Sequence, residues 1–265
     1  MTISANQPYF RAYFPYWQLI HAADVFLISD DYAYTKRTWV NRNKILVNGQ
    51  VQYFRVEISK ASVHKQINET TLLPIDTKHK LRTIQLAYHK APYFDAGYEL
   101  MENILCYDNR NLASFLTHSI QEICQYLGIT TTLAHTSQLE GNRLLKREER
   151  IYDFCQRFGA DHYINAIGGQ ALYSFKEFEK RGIHLSFIYS ETGDSHTESM
   201  YKIESAAPIH FQKRPPFLKG LSIIDAIMHN SPEKLHRLLD CYTLIDNDCS
   251  KPYTTPSLSK PFTND

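Results

Sequence analysis

The chain has 265 residues, 43% of them hydrophobic and 22% charged, so it can bury a core without a metal or disulfide. Lysine and arginine total 29 against 28 acidic residues, a balance that gives no electrostatic reason to expect nucleic-acid or anionic-membrane partners. The chain has no run of ~20 apolar residues, no secretory signal pattern and no CxxC pair among its five cysteines. We therefore expect a cytoplasmic protein without a membrane span, a bound metal or a cofactor.

Short apolar or alternating runs between turn signals predict strands at residues 2–6, 25–29, 51–58, 131–135, 162–167 and 184–189. Asn48-Gly49 separates two such runs, and both residues tolerate positive φ. This pair predicts a small antiparallel hairpin of residues 44–47 and 50–56.

Apolar residues at helical spacing predict helices at residues 16–22, 78–90, 93–104, 112–127, 146–158, 222–230 and 232–239. The clearest helix, 112–127, has Asn111 as its predicted N-cap and Gly128 as its left-handed stop. After Gly128, strands and helices alternate, which favours an α/β fold with helices covering a parallel or mixed sheet. We expect one domain over residues 1–245, a lid over 191–208 and a flexible C-terminal tail over 246–265.

The loop Gln7-Pro8-Tyr9-Phe10 directly follows the first predicted strand. Ligands of α/β sheets bind beyond the carboxyl ends of strands, so Gln7 and Tyr9 are candidate substrate contacts. The alternative is that Pro8 and the two aromatic rings only pack a turn.

The densest group of chemically active residues follows the second strand: Asp30, Asp31, Lys36, Trp39 and the run Asn41-Arg42-Asn43. Arginine can hold a phosphate or carboxylate in two hydrogen bonds, and an indole offers a face to a base or sugar ring. Asp31 is a candidate general base if burial raises its pKa, or it holds Lys36 in place. The alternative is a charged hairpin with surface ion pairs.

A metal site at Asp30-Asp31 is weakly indicated. Successive strand residues point to opposite faces, so the two acids chelate together only if the strand has already ended. Their spacing is also one residue short of the DxD pair of nucleotide-sugar glycosyltransferases.

A further strand, which begins at His162 and contains Asn165, runs into Gly168-Gly169. Backbone N–H groups at such a strand end can approach a phosphate or carboxylate. The segment is neither a GxGxxG fingerprint nor a P-loop, so neither a dinucleotide nor ATP is predicted. The alternative is an ordinary glycine turn with a satisfied core histidine.

The helix that follows Gly220-Leu221-Ser222 is interpreted as mainly structural, with Ser222 as N-cap and Asp225 completing a start similar to a capping box. The chain has no GxSxG nucleophile elbow and no recognisable Cys/His/Asn set, so no covalent intermediate is indicated.

Four segments in order resemble the WbqC-like protein family of bacteria: QPYF (7–10), DDYAYTKRTWVNRNKIL (30–46), HYINAIGG (162–169) and GLSIIDAIMHNS (220–231). The resemblance covers about residues 1–245. It implies a transferase in the biosynthesis of O-antigen and other surface polysaccharides. The implied reaction moves an acyl or aminoacyl group from an acyl donor to the amine of a nucleotide-linked amino sugar.

This reaction assigns expected roles to the residues above. The amine must lose a proton, so Asp31 or His162 is the expected base, and Lys36 joins them as a catalytic candidate. The predicted substrate contacts are Lys36 and Arg42 on a diphosphate or carboxylate, Trp39 and Tyr9 on rings, Asn41, Asn43 and Asn165 on hydroxyls, and Gln7, Asp30, Gly168 and Gly169 around them.

Two alternatives remain open from the sequence. One is a nucleotide-sugar glycosyltransferase with Asp30 or Asp31 on a divalent cation. The other is a non-catalytic binding subunit, which a departure from the family pattern encourages: the family continues F-P-Y-x-G-Y, whereas residues 11–16 here are RAYFPY. The sequence does not define the donor, the acceptor sugar or the oligomeric state.

The α/β order also predicts where the site lies. Gln7, Asp31 and Gly168 each follow the carboxyl end of a strand, and parallel neighbouring strands would bring them to one edge of the sheet. We expect one pocket there, with Asp31 and Gly168 no more than about 20 Å apart, since ligand pockets occupy only ~300–1,000 Å³.

Overall fold

The computed structural model describes residues 1–60, 62–192 and 220–246. Its strands are β1 (Thr2–Asn6), β2 (Val25–Ile28), β3 (Arg42–Val47), β4 (Gln50–Arg55), β5 (Ile58–Ser59), β6 (Thr71–Leu72), β7 (Thr132–His135), β8 (His162–Ala166), β9 (His184–Ser190) and β10 (Tyr242–Ile245). Its α-helices are α1 (Phe14–His21), α2 (Thr77–Tyr88), α3 (Phe94–Leu105), α4 (Leu112–Leu127), α5 (Glu148–Phe158), α6 (Phe175–Glu179), α7 (Ile223–His229) and α8 (Pro232–Leu239).

Six strands form the central sheet in the order β10-β9-β8-β1-β2-β7. All neighbours are parallel except β10, which runs antiparallel to β9 at the sheet edge. This confirms the predicted α/β fold with a mixed sheet covered by helices. The carboxyl ends of β1, β2, β7, β8 and β9 therefore meet at one edge, which we call the carboxyl edge.

Alternating side chains of the strands enter two separate cores. Phe26 and Ile28 of β2 belong to the larger core, which includes apolar residues of α1 and α4, while Leu27 faces the smaller core with residues of α5 and α6. Strands that are buried on both faces appear as short continuous apolar runs, which is why β2 was predictable from its composition.

The antiparallel hairpin is also confirmed. Asn48 and Gly49 both adopt positive φ, 53° and 75°, and β3 pairs with β4 on either side of them. The first strand begins at residue 42, two positions earlier than predicted, so the run Arg42-Asn43 lies within β3.

Local signals set the helix limits well. Asn111 caps α4 by accepting a hydrogen bond from the Ser114 N–H, and Gly128 ends the helix at φ 69°. The predicted start of α1 was two residues late because Pro15 is tolerated in the first turn. The edge strand β10 was not predicted, since its four residues depend on pairing with the distant β9.

Residues 193–208 of the expected lid and 247–265 of the expected tail lie outside the described residues. In the part of the chain that is described, no helix is long and apolar enough to cross a bilayer.

Candidate functional site

A cavity of about 530 Å³ lies at the carboxyl edge, where β1, β8 and β9 end beside the loop after β2. This volume falls in the range of small-molecule sites. Among the described residues the lining includes no Lys, Arg, His, Asp or Glu. Its polar and aromatic members are Asn6, Gln7, Tyr9, Tyr13, Tyr16, Ser29, Tyr32, Phe154, Tyr163, Asn165, Tyr173 and Ser190.

The sequence placed several of these residues correctly at this edge. Gln7, Tyr9, Asn165, Gly168 and Gly169 all line the cavity. Asp31 itself does not, but the residues Ser29 and Tyr32 on either side of the acid pair do. The loops after β1, β2 and β8 therefore converge on one cavity.

The cavity tyrosines are neutral hydrogen-bonding groups. Burial raises the pKa of Tyr9 and Tyr173, and it raises the pKa of Tyr163 well above the usual value for a phenol. Each hydroxyl therefore keeps its proton at neutral pH and can both donate and accept. Such side chains combine a ring face for apolar contact with a polar tip.

Asn165 is fixed between the strand and the glycine pair. Its Oδ1 accepts a hydrogen bond of 2.8 Å from the Ala166 N–H, and its side chain hydrogen-bonds the Tyr173 hydroxyl, which lowers the pKa of Tyr173 against the larger effect of burial. A Cβ atom on Gly169 would lie 2.8 Å from Asn165 Nδ2, whereas one on Gly168 would meet nothing within 4 Å. A side chain at position 169 would therefore force the Asn165 amide to shift, whereas one at position 168 would not.

Asp31 is held in a buried ion pair. Arg150 Nη2 lies 2.8 Å from Oδ2 and 3.1 Å from Oδ1, and the Thr136 hydroxyl donates to Oδ1 at 2.6 Å. The carboxylate therefore points toward α5 and the loop after β7 and is already bound by three hydrogen bonds. This geometry suits an anchor for the loop after β2 better than a general base.

Asp30 is also engaged. It accepts hydrogen bonds from the Ser137 N–H at 3.0 Å, from the Ser137 hydroxyl at 2.8 Å and from His135 Nδ1 at 3.0 Å. Burial alone would raise the pKa of Asp30, but the hydrogen bonds from His135 and Ser137 outweigh it and lower the pKa. The described residues contain no cluster of three or more His, Cys, Asp or Glu side chains placed to hold a metal ion.

His162 lies at the amino-terminal end of β8, on the side of the sheet opposite the carboxyl edge. It is the first residue of β8, in register with Thr2 and His184, and its Nε2 is 2.7 Å from the Ser186 hydroxyl. Burial, and then the neighbouring His184, lower the pKa of His162 to about 4. The structure does not bring His162 to the cavity.

The residues from Lys36 to Asn43 lie beside the cavity loops without lining the cavity. Lys36 and Trp39 are exposed, and the Trp39 carbonyl accepts a hydrogen bond from the Phe10 N–H at 2.9 Å. Asn41 donates to the Val56 carbonyl, and Asn43 donates to the Phe10 and Arg11 carbonyls. The two amides that were predicted to read hydroxyls are thus hydrogen-bonded to the backbone.

Arg42 shares this surface with exposed aromatic residues. Its guanidinium lies 4.4 Å from the Tyr53 ring centroid and donates to the Arg37 carbonyl. Lys44 Nζ lies 5.5 Å from the Trp39 ring centroid. We call this surface of β3, β4 and the preceding loop the hairpin face.

Sequence reasoning missed Tyr32, Tyr163 and Tyr173 in the cavity wall, Arg150 behind that wall, and His135 at the carboxyl edge. The 18 tyrosines were a signal of composition that named no position. His135 was identifiable, because it is the last residue of a predicted strand and so lies at the same end of the sheet as Gln7. Arg150 was not, since nothing near it in sequence indicates its partner.

Comparisons with known proteins identify relatives of the chain. The sequence model of the WbqC-like protein family matches residues 7–237. The uncharacterized protein Rv1507c of Mycobacterium tuberculosis is 29% identical over 176 residues, which are 65% of this chain and 75% of that protein. No solved structure gives a significant match.

Proposed function

The chain belongs to the WbqC-like protein family, and on that premise we propose that it is a transferase of bacterial surface-polysaccharide biosynthesis, including O-antigen. It binds a nucleotide-linked amino sugar and transfers an acyl or aminoacyl group to the sugar amine. The observation that carries the proposal is that three strand-end loops converge on one cavity. This cavity is lined by amides and phenols, and no charged side chain lines it among the described residues.

That lining suits a sugar ring. Tyrosine rings pack against the apolar face of a sugar, while their hydroxyls and the amides of Gln7 and Asn165 exchange hydrogen bonds with sugar hydroxyls. A diphosphate in the cavity would meet no cationic side chain among the described residues of the wall. The sugar is therefore the part of the substrate that enters the cavity.

The nucleoside diphosphate is assigned to the hairpin face. Lys36 and Arg42 supply cations there and Trp39 supplies an exposed indole. The hydrogen bond from the Phe10 N–H to the Trp39 carbonyl joins this surface directly to the loop that carries Gln7 and Tyr9. A ligand that spans both surfaces would present its amine near the carboxyl edge.

A second candidate function is binding without catalysis. It is favoured by the engagement of Asp30 and Asp31 in hydrogen bonds and by the location of His162 at the far edge of the sheet. This candidate predicts that the amino-sugar nucleotide binds and is not converted.

The test is incubation of the purified protein with a panel of dTDP- and UDP-linked amino sugars and acetyl-coenzyme A, an acyl thioester. Retention on the protein and change in sugar mass are both measured. A mass increase by one acyl group, unaffected by EDTA, supports the transferase. Binding without mass change supports the binding subunit. Release of the nucleoside diphosphate that stops in EDTA would point to the metal-dependent glycosyltransferase.

A further inference from the structure

A histidine–carboxylate pair lies at the carboxyl edge, one strand beyond the acid pair. His135 is the last residue of β7, and its Nδ1 is 3.0 Å from Asp30 Oδ2. The Asp30 carboxylate is fixed in turn by the Ser137 N–H and hydroxyl. A carboxylate at Nδ1 keeps the proton on that nitrogen, so Nε2 carries the lone pair of the neutral ring.

The imidazole ring is partly exposed. The His135 side chain is 23% exposed, whereas that of Asp30 is 5% exposed. From α4, the uncharged Thr117 hydroxyl approaches Nε2 only to 3.5 Å, a long contact. Asp30 is thus the charged group that faces the imidazole among the described residues.

The register of the sheet places His135 on the same face as part of the cavity lining. Asn6, Ile28 and His135 are partners across β1, β2 and β7, and in parallel strands such partners point to the same face. Asn6 lines the cavity. Two strand spacings, about 10 Å, separate the Asn6 and His135 backbones, so a sugar ring between them can present its amine toward the imidazole.

We propose that His135, oriented by Asp30, is the general base that accepts the proton of the acceptor amine. This inference rests on the proposed transferase function. The amine nitrogen forms a bond to the carbonyl carbon of an acyl thioester, and the carbon–sulfur bond breaks with its electron pair leaving on sulfur. The proton lost by nitrogen passes to His135 Nε2 and then to the departing thiolate.

The experiment compares His135→Gln, His135→Ala and Asp30→Asn with the wild-type protein, using the dTDP- or UDP-linked amino sugar that the wild type converts and acetyl-coenzyme A. We expect kcat to fall about 10²- to 10⁴-fold in the His135 variants, with KM nearly unchanged. Added imidazole restores part of the activity of His135→Ala. Asp30→Asn also lowers kcat, because the ring loses its fixed tautomer.

His118→Ala is the matched control, since His118 is a partly exposed histidine on α4 that hydrogen-bonds the Asn103 carbonyl, and it should keep wild-type kcat. Thermal melts show which variants are folded. If Asp30→Asn unfolds, His135→Gln decides, because the Asp30 carboxylate keeps its two hydrogen bonds from Ser137 in that variant. The proposed base, but not the proposed function, would be overturned if folded His135→Gln had the wild-type kcat. It would also be overturned if the variants changed only KM and imidazole restored no activity. Absence of transfer by the wild type would instead overturn the proposed function, and the base with it.

Discussion

The Asp31 carboxylate and the Arg150 guanidinium form a buried ion pair, with Nη2 2.8 Å from Oδ2. The guanidinium also lies 4.8 Å from the Tyr32 ring centroid and 5.7 Å from that of Phe154, and both rings line the cavity. The pair therefore ties the loop after β2 to α5 directly behind the cavity wall.

Loss of this pair should destabilise the fold. We expect Asp31→Ala to lower the free energy of unfolding by about 3–5 kcal/mol, because it leaves Arg150 as an uncompensated buried charge. Urea unfolding measures the change. The control Glu177→Ala removes an exposed pairing with Lys180 and should change stability by no more than about 1 kcal/mol. Unchanged stability of Asp31→Ala together with lost turnover would restore Asp31 as a candidate base.

The two adjacent glycines should differ sharply. Gly169→Ala forces the Asn165 amide to move, because the new Cβ would lie 2.8 Å from Nδ2, so we expect binding of the amino-sugar nucleotide to weaken about tenfold or more. Gly168→Ala adds a methyl group to open space and should bind like the wild type. Calorimetric titration of both variants makes the comparison, and equal affinities would remove Asn165 from the site.

Protonation of His162 should weaken the fold in acid. The pKa of His162 falls from its usual 6.5 to about 4 on folding, so between these values the unfolded chain binds more protons than the native one. Stability contributed by the neutral ring is therefore present above pH 6.5 and lost as the pH falls to 4. His162→Gln should flatten this part of the curve in urea unfolding at several pH values. An identical acid slope in the variant would contradict the buried neutral ring.

The hairpin face should recognise the nucleotide part of the substrate and not the sugar. We expect Arg42→Ala to weaken binding of the nucleotide-linked sugar by about 1.5–3 kcal/mol, the usual contribution of a hydrogen bond to a charged group. Binding of the free amino sugar should not change. Arg55→Ala is the control, because Arg55 is the exposed register partner of Arg42 on β4. Equal losses in both variants would indicate general charge attraction without a specific contact.

Much of the fold was predictable because its signals are local. Asn48-Gly49 specifies a tight hairpin, and Asn111 and Gly128 mark both ends of α4 within the helix's own sequence. The strand β10 lacks such a signal, since its pairing with β9 is set by tertiary contact.

The site was predictable only to the extent that position along a strand determines it. Gln7 and Asn165 follow from the rule that ligands bind at strand carboxyl ends, which needs no knowledge of contacts. The partner of Asp31 is 119 residues away, so the sequence could not distinguish a free base from a buried ion pair. The sequence also could not show that the Asn41 and Asn43 amides are engaged, because their hydrogen bonds to backbone carbonyls exist only after the hairpin has packed.

The most direct test of the central claim is a crystal structure of the protein with the amino-sugar nucleotide that it retains most strongly. We predict density for the sugar ring inside the cavity, within hydrogen-bonding distance of Asn165 and Tyr173, with the diphosphate directed toward Arg42. Density for the whole ligand outside the cavity, with Asn165 and Tyr173 contacting none of it, would contradict the account.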